Sequence, residues 1–330
     1  MDPLDGTNSK ANARLTARSS SKGIAADLIA VLVAVTSGEP RVLTIQDQRA
    51  LPSGPFELAH RSLQSGLRAW VERQTQLPLG YVEQLYTFAD RDRAGAAAQH
   101  AISISYLGLA REQPAFGAHE VKWRCWYDYF PWEDHRAGLP PLIRETLQPG
   151  LKAWVSTASD RAIQRTRRQR AAMLFGFEEH DWNEELVLQR YELLYEARLI
   201  PEALGGNPST SKPASATSDL LGQSMILDHR RILATAIARL RAKIKYHPVV
   251  FELLPDTFTL LQLQRCVEAL AGRQVHKPNF RRLIEQQELV EETGETSQDT
   301  GGRPAKLFRF RRAVFAERAI AGTKLPISGA

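Results

Sequence analysis

The feature that most constrains the fold lies near the end of the chain, from Pro255 to Arg312. Thr259 and Gln262 have the spacing of a capping box, in which each side chain accepts a hydrogen bond from the other residue's backbone. Apolar residues then recur at three- and four-residue spacing, Gly272 suits a helix end, and Pro278 suits the first turn of another helix. Two strand-like segments follow, so the pattern predicts a winged helix-turn-helix domain.

The second of these helices separates an apolar face from a polar one. Phe280, Leu283 and Ile284 form the face that we expect to be buried. A helix fits the major groove of DNA, where arginine can donate two hydrogen bonds to guanine and asparagine can pair with adenine. We predict base contacts by Asn279 and Arg282, with secondary contacts by Lys277 and Arg281. The alternative is that Arg281 and Arg282 are ordinary solvated helix charges.

The strand pair predicted after this helix has a basic second strand. Its cations have no acid among them, which suits contacts to phosphates. An acidic run from Glu288 to Asp299 precedes it, and we interpret that run as a solvated edge of the wing. We predict that Arg303, Lys306, Arg309 and Arg311 contact the DNA phosphate backbone.

Charge is distributed in a way that supports an anionic partner for this end of the chain. The formal net charge is +6 over 330 residues, and the part from Arg241 onward holds 15 Lys and Arg against 10 Asp and Glu. That part therefore carries +5 of the total. No segment has the apolar length of a membrane span or the pattern of a signal peptide, and the two cysteines, Cys125 and Cys266, form no CxxC motif. We expect a cytoplasmic protein without disulfides.

The first half of the chain alternates strand-like and helical patterns. Apolar runs at 24–35 and 41–46 predict two strands, and the segments at 80–93 and 101–110 predict two more. Between them, Leu63, Leu67, Trp70 and Val71 recur at helical spacing. The order predicts a mixed α+β domain ahead of the winged helix.

Several of these segments resemble a known family. LPSGP, the helix ending in RQTQL, YVEQLYTFADRDR and ISISYLGLA are similar to the Nudix hydrolase fold. Together with residues 223–312, they resemble the NrtR-like transcriptional regulators of NAD metabolism, in which a winged helix follows a Nudix domain. The resemblance implies a Nudix-type α/β/α sandwich with a helical insertion, followed by a winged helix-turn-helix domain.

The metal-binding motif of Nudix enzymes is degraded in this sequence. That motif needs glutamates at fixed helical spacing to hold divalent cations against a diphosphate. Aligning TQL on the usual TGL places Trp70, Arg73 and Gln74 at the three glutamate positions, and a shifted alignment recovers only Glu72. We therefore predict no catalytic residues, no metal site and no catalytic cofactor, with a nucleotide bound but not cleaved.

The expected effector is a NAD-related adenine nucleotide: NAD, ADP-ribose or ATP. Arg91 and Arg93, in a loop similar to one near the family's nucleotide, would contact a pyrophosphate or else remain exposed loop charges. Trp123, Trp126 and Tyr127 would stack on a ring or else pack in the core. The last effector candidate is His229, for which a structural hydrogen-bonded role is the alternative.

Domain boundaries follow from these patterns. We predict a disordered tail at 1–22, a Nudix-like effector-binding domain at 23–245, a winged helix-turn-helix domain at 246–315 and a C-terminal tail at 316–330. An aromatic and helical insertion spans about 112–222 and resembles the NadQ-like alphaproteobacterial branch of the family. In it Asp181 is a predicted helix cap, and a long amphipathic helix is predicted from Gln223.

These inferences predict a DNA-binding repressor of NAD biosynthesis or salvage genes. The family implies a homodimer on palindromic double-stranded operator DNA, without a membrane partner. The main alternative is an active Nudix pyrophosphohydrolase for ADP-ribose or NAD with an appended nucleic-acid-binding domain. A third class, an RNA-binding adaptor, predicts exposed aromatic residues in the C-terminal domain, where the sequence has few. The sequence leaves open which nucleotide is the effector, whether it releases or promotes DNA binding, and what the operator sequence is.

Overall fold

The structure, a computed structural model, describes residues 25–89, 101–113, 121–204, 220–297 and 304–311. The two predicted tails lie outside these residues, as do the site candidates Arg91, Arg93 and Arg303. Among the described residues, no helix combines the length and the apolar character needed to cross a membrane.

A mixed sheet forms the centre of the N-terminal domain. The strand order is β4-β5-β1-β2-β6, and β3 pairs with β1 beside this path. β1 and β5 run parallel and the other pairs are antiparallel. The strands are β1 Ala25–Thr36, β2 Glu39–Thr44, β3 Ser53–Pro55, β4 Val82–Phe88, β5 Ala101–Leu109 and β6 Lys122–Cys125.

Alternating residues of β1 divide the interior into two cores. Leu28 and Leu32 pack on one face of the sheet with helix α1, Leu63–Thr75, whereas Val31 and Val33 face the other core. That second face is covered by helix α5, His229–Lys243. A helix on each side of a sheet is the predicted α/β/α sandwich, so the predicted fold is confirmed.

Part of the predicted insertion at about 112–222 belongs to the central sheet. β6 lies within that range and pairs with β2. The same range contains helices α2, Gln148–Ser156, α3, Arg161–Phe175, and α4, Val187–Glu196.

Two predicted helix starts in this half of the chain are wrong. Asp181 does not cap α4, which starts six residues later at Val187 without a side-chain cap, because Asn183 instead accepts the Glu185 N–H in a local turn. The amphipathic helix predicted from Gln223 starts at His229, after an irregular segment.

The C-terminal domain contains helices α6, Leu260–Ala271, and α7, Lys277–Gln286, followed by strands β7, Val290–Ser297, and β8, Ala305–Phe310. The predicted capping box is present, since Thr259 Oγ1 accepts from Gln262 N–H at 3.2 Å and Gln262 Oε1 accepts from Thr259 N–H at 2.7 Å. Gly272 ends α6 in the left-handed conformation with φ +73°. These local predictions are confirmed.

The two domains share one continuous apolar core. A 3-10 turn at Val249–Leu253 leads from α5 into α6, and its Phe251 stacks on Phe310 with ring centroids 4.3 Å apart. Phe258 exchanges backbone hydrogen bonds with Phe308 and so adds a third short segment to the β7-β8 hairpin. The winged helix is therefore packed against the sandwich through apolar side chains.

Candidate nucleic-acid interface and effector region

The polar face of α7 is displayed to solvent. Phe280 and Ile284, four residues apart, are buried against α6 and hold the helix on the domain. Asn279 and Arg282 point away from these two residues because of the 3.6-residue helical period, and Lys277 is exposed in the first turn of the helix. The four predicted base-contacting residues are all exposed: Lys277, Asn279, Arg281 and Arg282.

These four side chains are available for an external partner. Within the described ranges, none of them makes a side-chain hydrogen bond or an ion pair. A ligand would thus form new bonds with them without breaking existing ones in the protein. Asn279 and Arg282, three residues apart, share one helix face, and such amide and cationic donors read guanine and adenine in the major groove.

The cations of the wing are in a different situation. Lys306 Nζ lies 2.9 Å from Glu292, and Arg309 Nε lies 2.5 Å from Glu291. Sequence reasoning treated the acidic strand as a solvated edge, but the antiparallel register places Glu291 directly opposite Arg309. The wing is therefore internally neutralised in part.

Arg311 completes this pattern by pairing with Glu288 at 2.9 Å, at the end of the hairpin. Exposed pairs of this kind stabilise a protein by only about 0–1 kcal/mol each. Replacing the carboxylate partner by a DNA phosphate would therefore cost little stability. The phosphate contacts of the wing remain a prediction. Their arrangement differs from the freely displayed cations that the sequence suggested.

Helix α1 is the counterpart of the Nudix motif helix. Two of its residues at the expected glutamate positions, Trp70 and Gln74, form hydrogen bonds with the backbone of β3. Trp70 Nε1 donates to the Pro55 carbonyl at 2.9 Å, and the indole covers Gly54 so closely that a Cβ there would lie 2.2 Å from the ring. The Gln74 amide group bonds both the N–H and the carbonyl of Ser53, at 3.1 and 2.8 Å.

The remaining charged residues of α1 form no acidic cluster. The Arg73 guanidinium lies 4.5 Å from the centre of the Trp70 ring, and Glu72 is exposed beside it. Among the described residues, no group of three or more His, Cys, Asp or Glu side chains is arranged to hold a metal ion. Hard divalent cations prefer several oxygen ligands, so this donor set does not suit magnesium.

The three aromatic effector candidates are interior residues that do not meet at one site. Trp123 packs in the core on the α1 side of the sheet, whereas Trp126 and Tyr127 pack in the core on the α5 side. Burial raises the pKa of Tyr127 to about 12, and its hydroxyl donates to the Ala269 carbonyl at 2.7 Å. Their placement corresponds to the core-packing alternative.

His229 is also placed inside the molecule. Its Nδ1 accepts a hydrogen bond from the Leu51 N–H at 2.9 Å, and its side chain is 4% exposed. Burial lowers its pKa to about 4, so the ring is neutral at physiological pH. This geometry gives His229 a structural role and provides no support for an effector contact.

Sequence reasoning missed a buried ionic cluster between the insertion and the winged helix, formed by Glu133, Arg190 and Arg241, which we call the junction centre. The Glu133 carboxylate lies 2.6 Å from Arg190 Nε and 2.6 Å from Arg241 Nη1, and all three side chains are 0% exposed. Burial by itself raises the pKa of Glu133, but the two arginines hold that pKa below its usual range. The group therefore stays ionised.

The junction centre is bonded directly to the end of α6. Arg241 Nε donates to the Leu270 carbonyl at 2.9 Å, and the His135 N–H donates to the Gly272 carbonyl at 2.7 Å. Gly272 is needed for this approach, because a Cβ there would lie 2.4 Å from the Glu133 carbonyl oxygen. The members are separated by 57 and 108 residues in sequence, so no local spacing reveals the cluster.

Comparison with known proteins agrees with this architecture. The model of the NrtR DNA-binding winged helix domain matches residues 250–310. The ADPR responsive transcriptional repressor NtrR of Acinetobacter baylyi is 40% identical over 86 residues, which are 26% of this chain. That match spans about a third of the repressor's length, 34%.

Solved structures show the same fold over most of the chain. The crystal structure of Shewanella oneidensis NrtR complexed with a 27mer DNA has a TM-score of 0.51 and 20% identity, covering 86% of this chain and 93% of that one. The same protein without DNA has a TM-score of 0.51 and 20% identity over 87% and 94%.

The fold and the site define a two-domain protein, a Nudix-type sandwich joined to a winged helix domain. Residues 250–310 match the model of the NrtR DNA-binding winged helix domain, and the chain as a whole has the fold seen in the NrtR structures.

Proposed function

We propose that this protein is a DNA-binding transcriptional repressor whose Nudix-type domain responds to a NAD-related adenine nucleotide. The observation that carries the proposal is the exposed face of α7, with Asn279, Arg281 and Arg282 free of partners within the described residues, in a domain that matches the model of the NrtR winged helix. The similarity to a protein named as a repressor, and to one crystallised with DNA, supports the same role.

ADP-ribose is the effector that we favour among the three predicted nucleotides. The similar Acinetobacter baylyi repressor is named as responsive to ADPR. Arg91 and Arg93 remain the proposed pyrophosphate contacts, although they lie outside the described residues. NAD and ATP remain alternatives that a side-by-side titration separates.

We propose that the Nudix-type domain does not hydrolyse its ligand. The positions expected to supply metal-binding glutamates carry Trp70, Arg73 and Gln74, and two of these bond backbone atoms of β3. Incubation of the full chain with magnesium and ADP-ribose or NAD tests this directly. Turnover well above a protein-free control would establish the competing hydrolase function.

The regulated genes and the assembly follow from the same resemblance. We propose a cytoplasmic homodimer that binds a palindromic operator in promoters of NAD biosynthesis or salvage genes, with 246–315 as the DNA-binding domain of each copy. Two recognition helices related by a two-fold axis fit half-sites about one helical turn apart. The NadQ-like branch stays a hypothesis for the insertion.

The decisive experiment is an anisotropy titration of the full chain with duplex DNA selected from a random pool. We expect salt-sensitive binding of the selected duplex and a change in affinity when millimolar ADP-ribose is present. Equal affinity for selected and scrambled duplexes would contradict the proposed DNA recognition. Equal affinity with and without all three nucleotides would contradict the proposed control.

A further inference from the structure

A polar cleft lies where the edge strand β4 meets the C-terminal end of α5. Its volume is about 480 Å³, and its walls include Glu83 from β4 together with Arg239, Lys243, Tyr246 and His247. None of these residues belongs to α1 or to the aromatic candidates. The cleft is therefore separate from α1 and from the three aromatic effector candidates.

Three basic residues line one side of this cleft at four-residue spacing. Arg239 and Lys243 lie one turn apart on α5, and the turn continues beyond the helix because the His247 N–H donates to the Lys243 carbonyl at 2.8 Å. Side chains four residues apart share one helix face. The cleft thus presents two permanent cations and an imidazole side by side.

Lys243 is held in place by direct contacts, whereas Arg239 interacts with the Glu83 carboxylate only through longer-range electrostatics. Lys243 Nζ contacts both the Glu83 carboxylate and the Tyr81 hydroxyl, which fix the ammonium group at the rim of the cleft. Arg239 is exposed and has no side-chain hydrogen bond or ion pair within the described ranges. With Glu83 as the one acid among the lining residues, the permanent charges sum to +1, and the five guanidinium donors of Arg239 remain available.

The cleft also offers a surface for a ring. Tyr246 is 51% exposed, lines the cleft, and lies between Lys243 and His247 in sequence. An aromatic face beside cations is the combination that holds a base or sugar next to a phosphate.

We propose that this cleft binds the phosphate groups of a small anionic ligand, with Arg239 as the principal contact and Lys243 as a pre-positioned second contact. The ligand class is a phosphate or diphosphate compound, carried by a nucleotide or free in solution. This inference goes beyond the proposed function, because it requires neither DNA binding nor hydrolysis.

The position of the cleft also gives such a ligand a route to the winged helix. Tyr246 and His247 are followed at once by the turn at Val249–Leu253, whose Phe251 packs on the wing strand β8. A ligand that bridges β4 and Arg239 would restrict the segment from which the DNA-binding domain begins. Occupancy of the cleft and the placement of the winged helix are therefore coupled in this proposal.

Calorimetric titration of the full chain with ADP-ribose, inorganic pyrophosphate and adenosine tests the site. We expect binding of at least one phosphate compound and none of adenosine, and loss of about 10-fold in affinity for Arg239→Gln, as for removal of a charge-assisted hydrogen bond. Arg165→Gln, a change at an exposed arginine of α3 far from the cleft in sequence, is the matched control and should bind as wild type does. An unchanged melting temperature of Arg239→Gln confirms that the variant is folded.

The same titrations contain the results that would overturn the proposal. Unchanged affinity of Arg239→Gln for every phosphate compound, equal losses in Arg239→Gln and Arg165→Gln, or no binding of any phosphate compound would each do so. If ADP-ribose and pyrophosphate both bind wild type and Arg239→Gln equally well, this site is refuted while the repressor proposal stands. Tyr246→Ala sharpens the test, because it should weaken ADP-ribose by about 3-fold or more and leave pyrophosphate unchanged.

Discussion

Arginine serves two different purposes in two neighbouring regions of this molecule. In the junction centre, Arg190 and Arg241 are fully buried, and each bonds both the Glu133 carboxylate and backbone carbonyls. On α7, Arg281 and Arg282 are exposed and have no partner within the described residues. The hydrogen-bond donors of the buried arginines are used inside the protein, whereas those of the arginines on α7 are available to an external ligand.

The difference teaches that the basic character of a segment does not by itself indicate a binding surface. A buried arginine requires acceptors that compensate for lost water, so its partners are fixed by the fold. The wing lies between the extremes, because its cations are exposed but paired with acids of the adjacent strand. Exposure and pairing together separate the three cases.

The largest effect is expected in the junction centre. Glu133→Gln removes the charged partner that both buried guanidinium groups bond, and we expect a loss of about 3–5 kcal/mol in the free energy of unfolding. Urea denaturation measures it. Glu178→Gln is the matched control, since that carboxylate pairs with Arg168 at an exposed site and should contribute less than about 1 kcal/mol. Equal losses in the two variants would contradict the comparison.

The same centre predicts a pH dependence. The pKa of Glu133 is below 4.5 in the folded protein, so its ion pairs stabilise the fold above that pH and lose their contribution as the pH falls through the folded pKa. The difference in unfolding free energy between wild type and Glu133→Gln should therefore shrink progressively as the pH falls below 4.5. A difference that stays constant down to the acid transition would show that Glu133 does not act through its charge.

A smaller effect is expected on α7, and on DNA affinity only. Arg282→Ala should weaken binding of the selected duplex by about 1–3 kcal/mol and relax the preference at one position of each half-site. The unfolding free energy should be unchanged, since the side chain is exposed and bonded to nothing within the described ranges. Arg165→Ala on α3 serves as the control, and equal weakening by both variants would indicate a nonspecific charge effect.

The smallest effects are expected in the wing. Arg309→Ala should weaken binding uniformly across sequences and reduce the slope of log affinity against log salt by about 1. Glu291→Gln should act in the opposite direction, because it releases Arg309 from its partner. Salt titrations of both variants measure this pair of effects. Identical slopes in wild type and Arg309→Ala would remove Arg309 from the interface.

Sequence reasoning succeeded where the interactions are local. The capping box of Thr259 and Gln262, the glycine that ends α6 and the polar face of α7 depend on residues within one or two helical turns. The Nudix-type sandwich was predicted from a resemblance over several segments in order. The helix starts predicted at Asp181 and Gln223 were wrong, since the helices begin at Val187 and His229 after irregular segments.

Sequence reasoning could not decide where the answer depends on residues paired across long distances in the chain. Trp126 and Tyr127 have the composition of a ligand pocket, but the sheet and α5 enclose them. The acids opposite the wing cations were visible in sequence, yet only the register of the hairpin shows that Glu291 faces Arg309. The junction centre joins three segments of the chain, so no single spacing contains it.

The most direct test is selection of duplexes from a random DNA pool by wild type, Arg282→Ala and Arg165→Ala, followed by sequencing. The account predicts that wild type and Arg165→Ala enrich the same two-fold symmetric sequence, and that Arg282→Ala loses the base preference at one position in each half. Enrichment of the same full sequence by all three proteins, or of no sequence by wild type, would contradict the claim that the exposed face of α7 reads DNA.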